Sequence, residues 1–497
     1  MARKIDNFIG GAWIPSAGGK RFASVNPADN RETIAEVSLS ERGDVDRAVA
    51  AAREAFRTWR LMPPPRRGEI LFRAAELLAG RKAELGKLVT REMGKVLAEG
   101  LGDVQEAIDM AYYMAGEGRR WQGETVPSEL PDKDCKSVRQ PLGVVALVTP
   151  WNFPTAIPAW KLFPALICGN TVIFKPSSAT PACAAAIVET LSEAGIPPGV
   201  VNLVHGPGEE IGEYLLTHPG VDAASFTGSC AAGERLEGLL GKMHRPLALE
   251  MGGKNAVIVM ADADLSLALE GVLWGGFGTS GQRCTSASRV IVNEQVYDRF
   301  VEMLVEGAKR LRLGNGLHKE TDVGPLINEQ QCRKVLDYIR IGIGEGGELL
   351  TGGRQVTEGG CGNGWFIEPT VFGGVRPEMR IAREEIFGPV VSVIKCGGFA
   401  EAVEIANDVP MGLSSAIYSR DVNLTARAER ELQSGIVYIN ASTIGAEIHL
   451  PFGGWKHSGS GHPEAGGRGG ALDFYSRMKV IYRDFSGRLQ KAQIDKT

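Results

Sequence analysis

No stretch of the chain approaches the ~18 consecutive apolar residues of a membrane-crossing helix, so none is expected. The N-terminal segment Met-Ala-Arg-Lys-Ile-Asp-Asn lacks the apolar core of a signal peptide. Neither sign of charge dominates: net charge is −4 and the pI is about 6.1, which gives no electrostatic argument for a nucleic-acid partner or an anionic membrane. The eight cysteines are scattered, without a CxxC pair or a Cys/His cluster of zinc-ligand spacing, so no metal site is expected and the chain reads as a reduced, cytoplasmic protein. What remains is ordinary globular composition over 497 residues, 43% hydrophobic and 23% charged. That length is too great for one core, and two or three domains are expected.

Glycine is abundant, with 64 residues spread through short turn motifs. The opening segment, Asn7 to Trp13 and then Val25-Asn-Pro27, alternates short β-type runs with turns. Helical periodicity runs from Asp44 to about Gly80, broken at Pro63-Pro-Pro65, and again from about Ala83 through Ala115. From 138 to 275 five short apolar runs alternate with helical stretches: Gly143–Val148, Asn170–Lys175, Val200–Val204, Val221–Phe226 and Ala256–Val259. This pattern indicates a parallel sheet covered by helices, in which ligands bind beyond the carboxyl ends of the strands. A second strand–helix series spans about 289 to 440. The polar excursion 125–140 and the late strand 478–485 read as a two-segment arm of the kind that marks an oligomer contact.

One cysteine stands apart. Cys284 follows Phe277-Gly-Thr-Ser-Gly-Gln-Arg, where small neighbours give access to the sulfur. An arbitrary cysteine is more often core filler; that reading suits Cys168, Cys183 and Cys396, which sit among apolar residues, and fits Cys284 poorly. Upstream, Glu250 in Leu249-Glu-Met-Gly-Gly-Lys is a carboxylate at an open turn. Together they suggest a covalent thioester route, in which sulfur attacks a carbonyl and the carboxylate later activates water. No strand end in the 138–275 series carries Gly-x-Gly-x-x-Gly; Gly206-Pro-Gly208-Glu-Glu-Ile-Gly212 comes nearest and is weak alone.

Seven motifs, in order, resemble the aldehyde dehydrogenase superfamily over essentially the whole chain: Pro150-Trp-Asn-Phe-Pro154, Phe174-Lys-Pro-Ser-Ser178, Phe226-Thr-Gly-Ser229, Leu249-Glu-Met-Gly-Gly253, Gly281-Gln-Arg-Cys284, Glu385-Ile-Phe-Gly-Pro389 and Pro451-Phe-Gly-Gly454. The resemblance implies an α/β fold: a Rossmann-like cofactor domain (1–120 and 141–250), an α/β catalytic domain (251–452) and a β-strand oligomerisation arm (121–140 and 474–497). It implies oxidation of a small-molecule aldehyde with NAD or NADP, by a homodimer or homotetramer. Carried over residue by residue, it makes Cys284 the nucleophile, Asn152 an oxyanion donor, Glu250 the base, and Lys161 and Glu464 an ion pair or proton relay behind it. The stretch Gly461–Gly466 carries one residue more than the family pattern. Trp151, Thr227, Gly228, Ser229 and Gly252 correspond to contacts along the cofactor, Lys175 and Gly208 to its adenosine side, and Glu385 and Phe387 to its nicotinamide side. Ser178 stands where many NAD-preferring relatives place glutamate, which points to acceptance of NADP.

Phe153, Ile157, Trp160, Arg283, Thr285 and the loop 441–452, including His449 and Phe452, correspond to the aldehyde tunnel. The succinic semialdehyde branch commonly has arginine at the position of Trp160. The 444–450 and 456–461 segments resemble branches oxidising ω-semialdehydes, such as α-ketoglutaric or α-aminoadipic semialdehyde, with Arg283 or His449 reading the acid. Aromatic walls leave an apolar or aromatic aldehyde open. A CoA-acylating or phosphorylating route would replace water with another acceptor, and Glu250 argues against it. A non-catalytic scaffold would be expected to have lost Cys284, Glu250 or Asn152.

Overall fold

The computed structural model describes residues 2–494. The first of two seven-stranded sheets orders its strands Leu247–Glu250, Ala223–Thr227, Val144–Val148, Thr171–Lys175, Val201–Leu203, Asn7–Ile9 and Ala12–Ile14. The first five are parallel, and the last two join antiparallel. Val144–Val148 and Thr171–Lys175 are buried at every residue, as strands covered on both faces must be, which is why they read as unbroken apolar runs. The earliest of the five, Val144–Val148, lies between the second and the fourth in chain order. The strand order therefore reverses beside it, and a crevice opens at the carboxyl ends of Val144–Val148 and Ala223–Thr227.

The second sheet orders Glu348–Thr351, Thr370–Gly373, Val390–Cys396, Arg289–Asn293, Ala256–Val259, Ser414–Tyr418 and Ile436–Ile439, parallel except at the Glu348–Thr351 edge. Ala256–Val259 thus belongs to this sheet and is not the fifth strand of the first, as its place in the 138–275 series suggested. The fifth is Leu247–Glu250, and the chain crosses between the sheets through Met251–Asn255. Apolar content is the same in either sheet, so local pattern could not assign it.

Four helices lie between the strand Asp29–Ser38 and Val144–Val148: Arg42–Trp59, Pro64–Gly80, Lys82–Met93 and Leu97–Glu117. The last three pack with the helix Ala156–Ile167 into a core that includes Leu71, Val104, Met110, Phe163 and Phe174, while Arg42–Trp59 lays Val45, Ala48, Val49 and Ala52 against Val144, Ala146 and Ile173 on the other face of the sheet. A separate three-stranded antiparallel sheet places Lys133–Pro141 between Glu124–Pro127 and Ser476–Asp484, in register from Ser476 opposite Pro141 to Asp484 opposite Lys133. Residues 495–497 of the expected arm lie outside the described residues. No helix among the described residues is long and apolar enough to cross a membrane, and no group of three or more His, Cys, Asp or Glu side chains there could hold a metal ion.

Candidate active site

Cys284 is aimed by an unusual piece of backbone. Helix Leu265–Phe277 ends in the turn Gly278–Gly281, where Thr279, Ser280 and Gly281 have φ of 51°, 56° and 68°. A side chain at 281 would place its Cβ 2.1 Å from the Gly388 carbonyl oxygen, so only glycine fits. For threonine and serine the left-handed region is strained, and anchors from elsewhere in the chain hold it. Both Glu99 oxygens accept from the Thr279 N–H at 2.9 and 3.0 Å. Ser280 Oγ donates to Gly324 O at 2.7 Å, and the Gln282 amide donates to Thr279 O and Pro325 O and accepts from Ile327 N–H. The half-buried Cys284 that results lines two cavities at once, as do Ile157, Thr227 and Met251.

The first, about 190 Å³, sits in the crevice at the reversal of strand order. Trp151 and Asn152 reach it from beyond Val144–Val148, and Thr227, Gly228 and Ser229 from beyond Ala223–Thr227. Ser229 caps helix Cys230–Gly241 by accepting from Ala232 N–H, and the helix start is an anion-favouring end. Opposite stand Glu385 and Phe387, with Phe387 edge-on to Trp151 at 5.4 Å between ring centroids. A Cβ at Gly252 would lie 2.2 Å from the Glu385 carboxylate, so glycine lets that acid approach the turn, where Gly253 N–H donates to it at 3.2 Å. Burial raises the Glu385 pKa against the opposing pull of Lys334, the Gly253 N–H and Lys254.

Three of the expected cofactor residues lie away from this cavity, at the ends of the neighbouring strands. Lys175 is buried with its ammonium on the Pro176 carbonyl at 2.7 Å, and burial lowers its pKa to about 8. Ser178 Oγ donates to Gly206 O at 2.9 Å, and Gly208 begins the π-helical turn Gly208–Gly212. Sequence reasoning missed Gln331 and Lys334, which line the crevice from one face of helix Glu329–Gly344. Gln331 donates to the carbonyls of Ile386 and Phe387, the latter at 2.7 Å, fixing Phe387 at φ 62°.

The second cavity, about 50 Å³, is walled by Phe153, Trp160, Phe452, Arg283 and Thr285 and holds Glu250 and Glu464 at its inner end. Trp160 and Phe452 meet edge-on at 5.0 Å. Glu250 is buried; Gly454 N–H donates to its Oε2 at 3.2 Å, and Oε1 has no protein partner. Burial, then the nearby Glu464 carboxylate, raises its pKa well above the ordinary carboxylate range, against the Gly454 N–H and Lys161. Behind it Lys161 Nζ bonds to Glu464 Oε1 and to Ser225 Oγ, and Thr227 Oγ1 donates to the same Glu464 oxygen. The surplus residue in Gly461–Gly466 therefore does not carry Glu464 away from Lys161. Asn152 Nδ2 donates to Gln282 O at 3.0 Å, which fixes the amide beside the cysteine turn and leaves its second N–H available. Burial and the carboxylates of Glu385, Glu250 and Glu464 push the Cys284 thiol up, so sulfur is held as the thiol until positive charge arrives.

Arg283 is already engaged. Its guanidinium pairs with Glu99 at 2.8 Å, with both side chains only 11% and 13% exposed, and lies 5.3 Å from the Phe153 ring centroid. His449, expected to read a substrate acid, is exposed, 3.4 Å from Glu447, and outside the cavity lining, to which its loop contributes Gly445, Ala446 and Phe452. Glu106, from helix Leu97–Glu117, lines the cavity, and nothing in the sequence singled it out. Of the other cysteines, Cys135, Cys168, Cys183, Cys332, Cys361 and Cys396 are buried and Cys230 is half-buried; all eight are free thiols.

A thiol thus stands between a crevice at the strand ends and an aromatic pocket, with a buried acid in the same pocket. The model of the aldehyde dehydrogenase family matches residues 13–481. Alpha-ketoglutaric semialdehyde dehydrogenase of Bacillus subtilis (strain 168) is 42% identical over 96% of this chain and 97% of its own. The 2,5-dioxopentanoate dehydrogenase of Saccharolobus solfataricus is 40% identical over 95% and 97%. Betaine aldehyde dehydrogenase from Staphylococcus aureus, solved in complex with NAD+, is 34% identical and superposes with a TM-score of 0.94, covering 97% of this chain and 95% of that one. With a match spanning nearly its whole length, this chain belongs to the aldehyde dehydrogenase family and is an NAD(P)-dependent oxidoreductase acting on aldehydes.

Proposed function

We propose that the enzyme oxidises an ω-semialdehyde, an aldehyde whose far end carries a carboxylate, to the corresponding diacid, with α-ketoglutaric semialdehyde as the leading candidate. Relatives named for that substrate align over nearly the whole chain, and Arg283 in the cavity wall gives the acid a cationic neighbour. The observation that carries the chemistry is the double placement of Cys284, in the wall of both cavities.

In this reading the aldehyde carbon enters from the aromatic cavity. Cys284 Sγ forms the C–S bond as the C=O π bond opens, and its proton passes through water to Glu250 Oε1, the unpartnered oxygen in the same cavity. The carbonyl oxygen takes the negative charge and receives hydrogen bonds from the free N–H of Asn152 and the backbone N–H of Cys284. When bound in the crevice, the nicotinamide supplies the hydride acceptor, which nothing in this chain could replace. The crevice fits that group: the glycine at 252 makes room for the Glu385 carboxylate, the start of helix Cys230–Gly241 favours phosphate, and Trp151 and Phe387 flank the space. Once hydride has left the carbon, Cys284 holds a thioester. Glu250 Oε1 takes a proton from water, the hydroxide adds to the acyl carbon, and the C–S bond breaks. Lys161 and Thr227 are both hydrogen-bonded to Glu464 beside Glu250, which supports passage of its proton in that direction through water at the unpartnered Oε1. The absence of a carboxylate at Ser178 supports use of NADP alongside NAD.

Sheet membership supports a division into a cofactor part (1–120 and 141–250), a catalytic part (251–452) and an arm (121–140 and 474–497). Exposed Val126, Val480, Tyr482 and Phe485 on the arm support assembly into a homodimer or homotetramer. Eight free thiols support a cytoplasmic location. An aldehyde panel followed by reduced-cofactor absorbance, with NAD or NADP and with or without CoA, tests the reading. Cys284→Ala is expected to abolish turnover and keep cofactor binding; Glu250→Gln is expected to give one burst and a trapped acyl-enzyme. Steady turnover in either variant, or a requirement for CoA, would refute the assigned roles.

A further inference from the structure

Away from the Glu250 end of the aldehyde cavity, the charged groups in and behind its wall are held by partners, with one exception. Lys95 Nζ lies 3.2 Å from Asp103, and Arg283 pairs with Glu99 at 2.8 Å. Asp103 also accepts from Thr155 Oγ1 and Ala156 N–H, both at 2.7 Å, and Asp109 accepts from Gln105 at 2.7 Å. Glu106 lines the cavity with Cys284, Phe153 and Arg283, and its carboxyl has no hydrogen-bond or ion-pair partner among the described residues. Lys95–Asp103 and Arg283–Glu99 are closed ion pairs, so the protonation state of Glu106 changes the charge that a substrate tail meets at that wall of the cavity.

We propose that Glu106 is a specificity-determining residue that donates a hydrogen bond from its neutral carboxyl to the far-end carboxylate of the substrate. This rests on the semialdehyde reading above and gives that acid its recognition group. The guanidinium of Arg283 is held on Glu99, so it contributes charge but not an uncommitted bidentate fork. An ionised Glu106 would repel an acid tail at close range, whereas a neutral one shares its proton with it, as two carboxyl groups in one site do. Facing Glu106 are Asp103 and Asp109 on its own helix, Lys95 just ahead of that helix, Arg283 from the cavity wall, and Tyr438 from strand Ile436–Ile439. Burial and then Asp103 push its pKa up, with Arg283 and Lys95 opposing, to about 8. The donor form therefore prevails at neutral pH.

The test compares kcat/KM for glutaric semialdehyde with kcat/KM for pentanal, an uncharged aldehyde of equal chain length, from about pH 6.5 to 9.5. Taking the ratio cancels the ionisations of Cys284 and Glu250, which both substrates share. In the unmodified enzyme the ratio is expected to be level below about pH 8 and to fall toward tenfold per pH unit above it. In Glu106→Gln, whose amide donates at every pH, the ratio is expected to be level throughout. The variant also separates Glu106 from Lys95, whose own loss of charge would lower the ratio in both proteins. A level ratio in the unmodified enzyme, with ready turnover of the acid substrate, overturns the role of Glu106 and leaves the semialdehyde reading standing. An equal fall in Glu106→Gln does the same. Failure of the unmodified enzyme to use any acid-tailed aldehyde, while it turns over pentanal, overturns both. If Glu106→Gln does not fold, which loss of cofactor binding would reveal, Glu106→Ala takes its place: it removes both the donor and the titrating group, so the ratio is expected to be low and level with pH, and a fall with pH there would overturn the role of Glu106.

Discussion

Replacing Glu99 by alanine removes the acceptor that holds the left-handed turn before Cys284. In the native protein its two oxygens receive the Thr279 N–H, and Oε1 also receives Arg283 Nη2. Each hydrogen bond to a charged group contributes about 1.5–3 kcal/mol, so the anchor is worth about 3–6 kcal/mol. Against it stands the strain of Thr279 and Ser280, about 1–2 kcal/mol each in the left-handed region. Without Glu99, the remaining bonds from Ser280 and Gln282, about 1 kcal/mol apiece, only balance that strain, and Arg283, whose Nε donates to Thr279 Oγ1 at 2.9 Å, loses the carboxylate that holds its guanidinium in place. The turn is then expected to relax for much of the time. A displacement near 1 Å at a reacting atom costs about a hundredfold in rate, so kcat/KM should fall by roughly that factor. Iodoacetamide alkylation of Cys284, located by mass spectrometry, should change in parallel. A rescue separates strain from general damage: asparagine tolerates the left-handed region and keeps a side-chain oxygen for Arg283, so Thr279→Asn should recover several-fold in the Glu99→Ala background and do little in the native one. If Glu99→Ala keeps native alkylation and kcat/KM within twofold, or if Thr279→Asn acts equally in both backgrounds, the reasoning fails.

Asn152→Ala should lower kcat by about 10²–10³ through loss of an oxyanion donor, read in pre-steady-state reduction of the cofactor; an unchanged first turnover would remove the role. Glu250 works as a base only when ionised and its pKa is raised, so the deacylation rate should climb with pH through and above neutrality; a profile already level at pH 5 would contradict this. Lys254 is buried, its Nζ has no partner, and burial lowers its pKa to about 7. Between about pH 7 and 10 the unfolded chain binds more protons than the folded one at this site, so stability rises with pH there. Lys254→Met should therefore melt higher than the native protein at pH 7, by an amount on the order of 5 kcal/mol at most, with the difference closing toward pH 10. A pH-independent difference would show that the lysine is not held neutral.

The parts of the site that were legible share a local grammar. Thr227-Gly-Ser229 ends a buried strand and caps the next helix within four residues, so its backbone geometry is written where it acts. Cys284 and Glu250 were legible because glycine-rich turns mark places where backbone must stay open. The illegible parts depend on contacts between distant segments. Glu99 reaches Arg283 across |i−j| of 184, which turns an apparent substrate-reading arginine into part of a scaffold. Glu106 shares helix Leu97–Glu117 with Asp103 and Asp109, and in sequence all three look like a solvated helix face. Asp103 is in fact buried under Thr155, Asp109 is exposed, and Glu106 lines the cavity. Which of three similar acids meets a substrate depends on how the helix is rotated against Ala156–Ile167, and that rotation follows from packing along the whole apolar stripe. His449 shows the same limit in reverse: its loop reaches the cavity through Gly445, Ala446 and Phe452, while the imidazole turns outward to Glu447. Motifs therefore locate the chemistry at Cys284, whereas the residues that choose the aldehyde have to be found from the packing of long helices and loops around it.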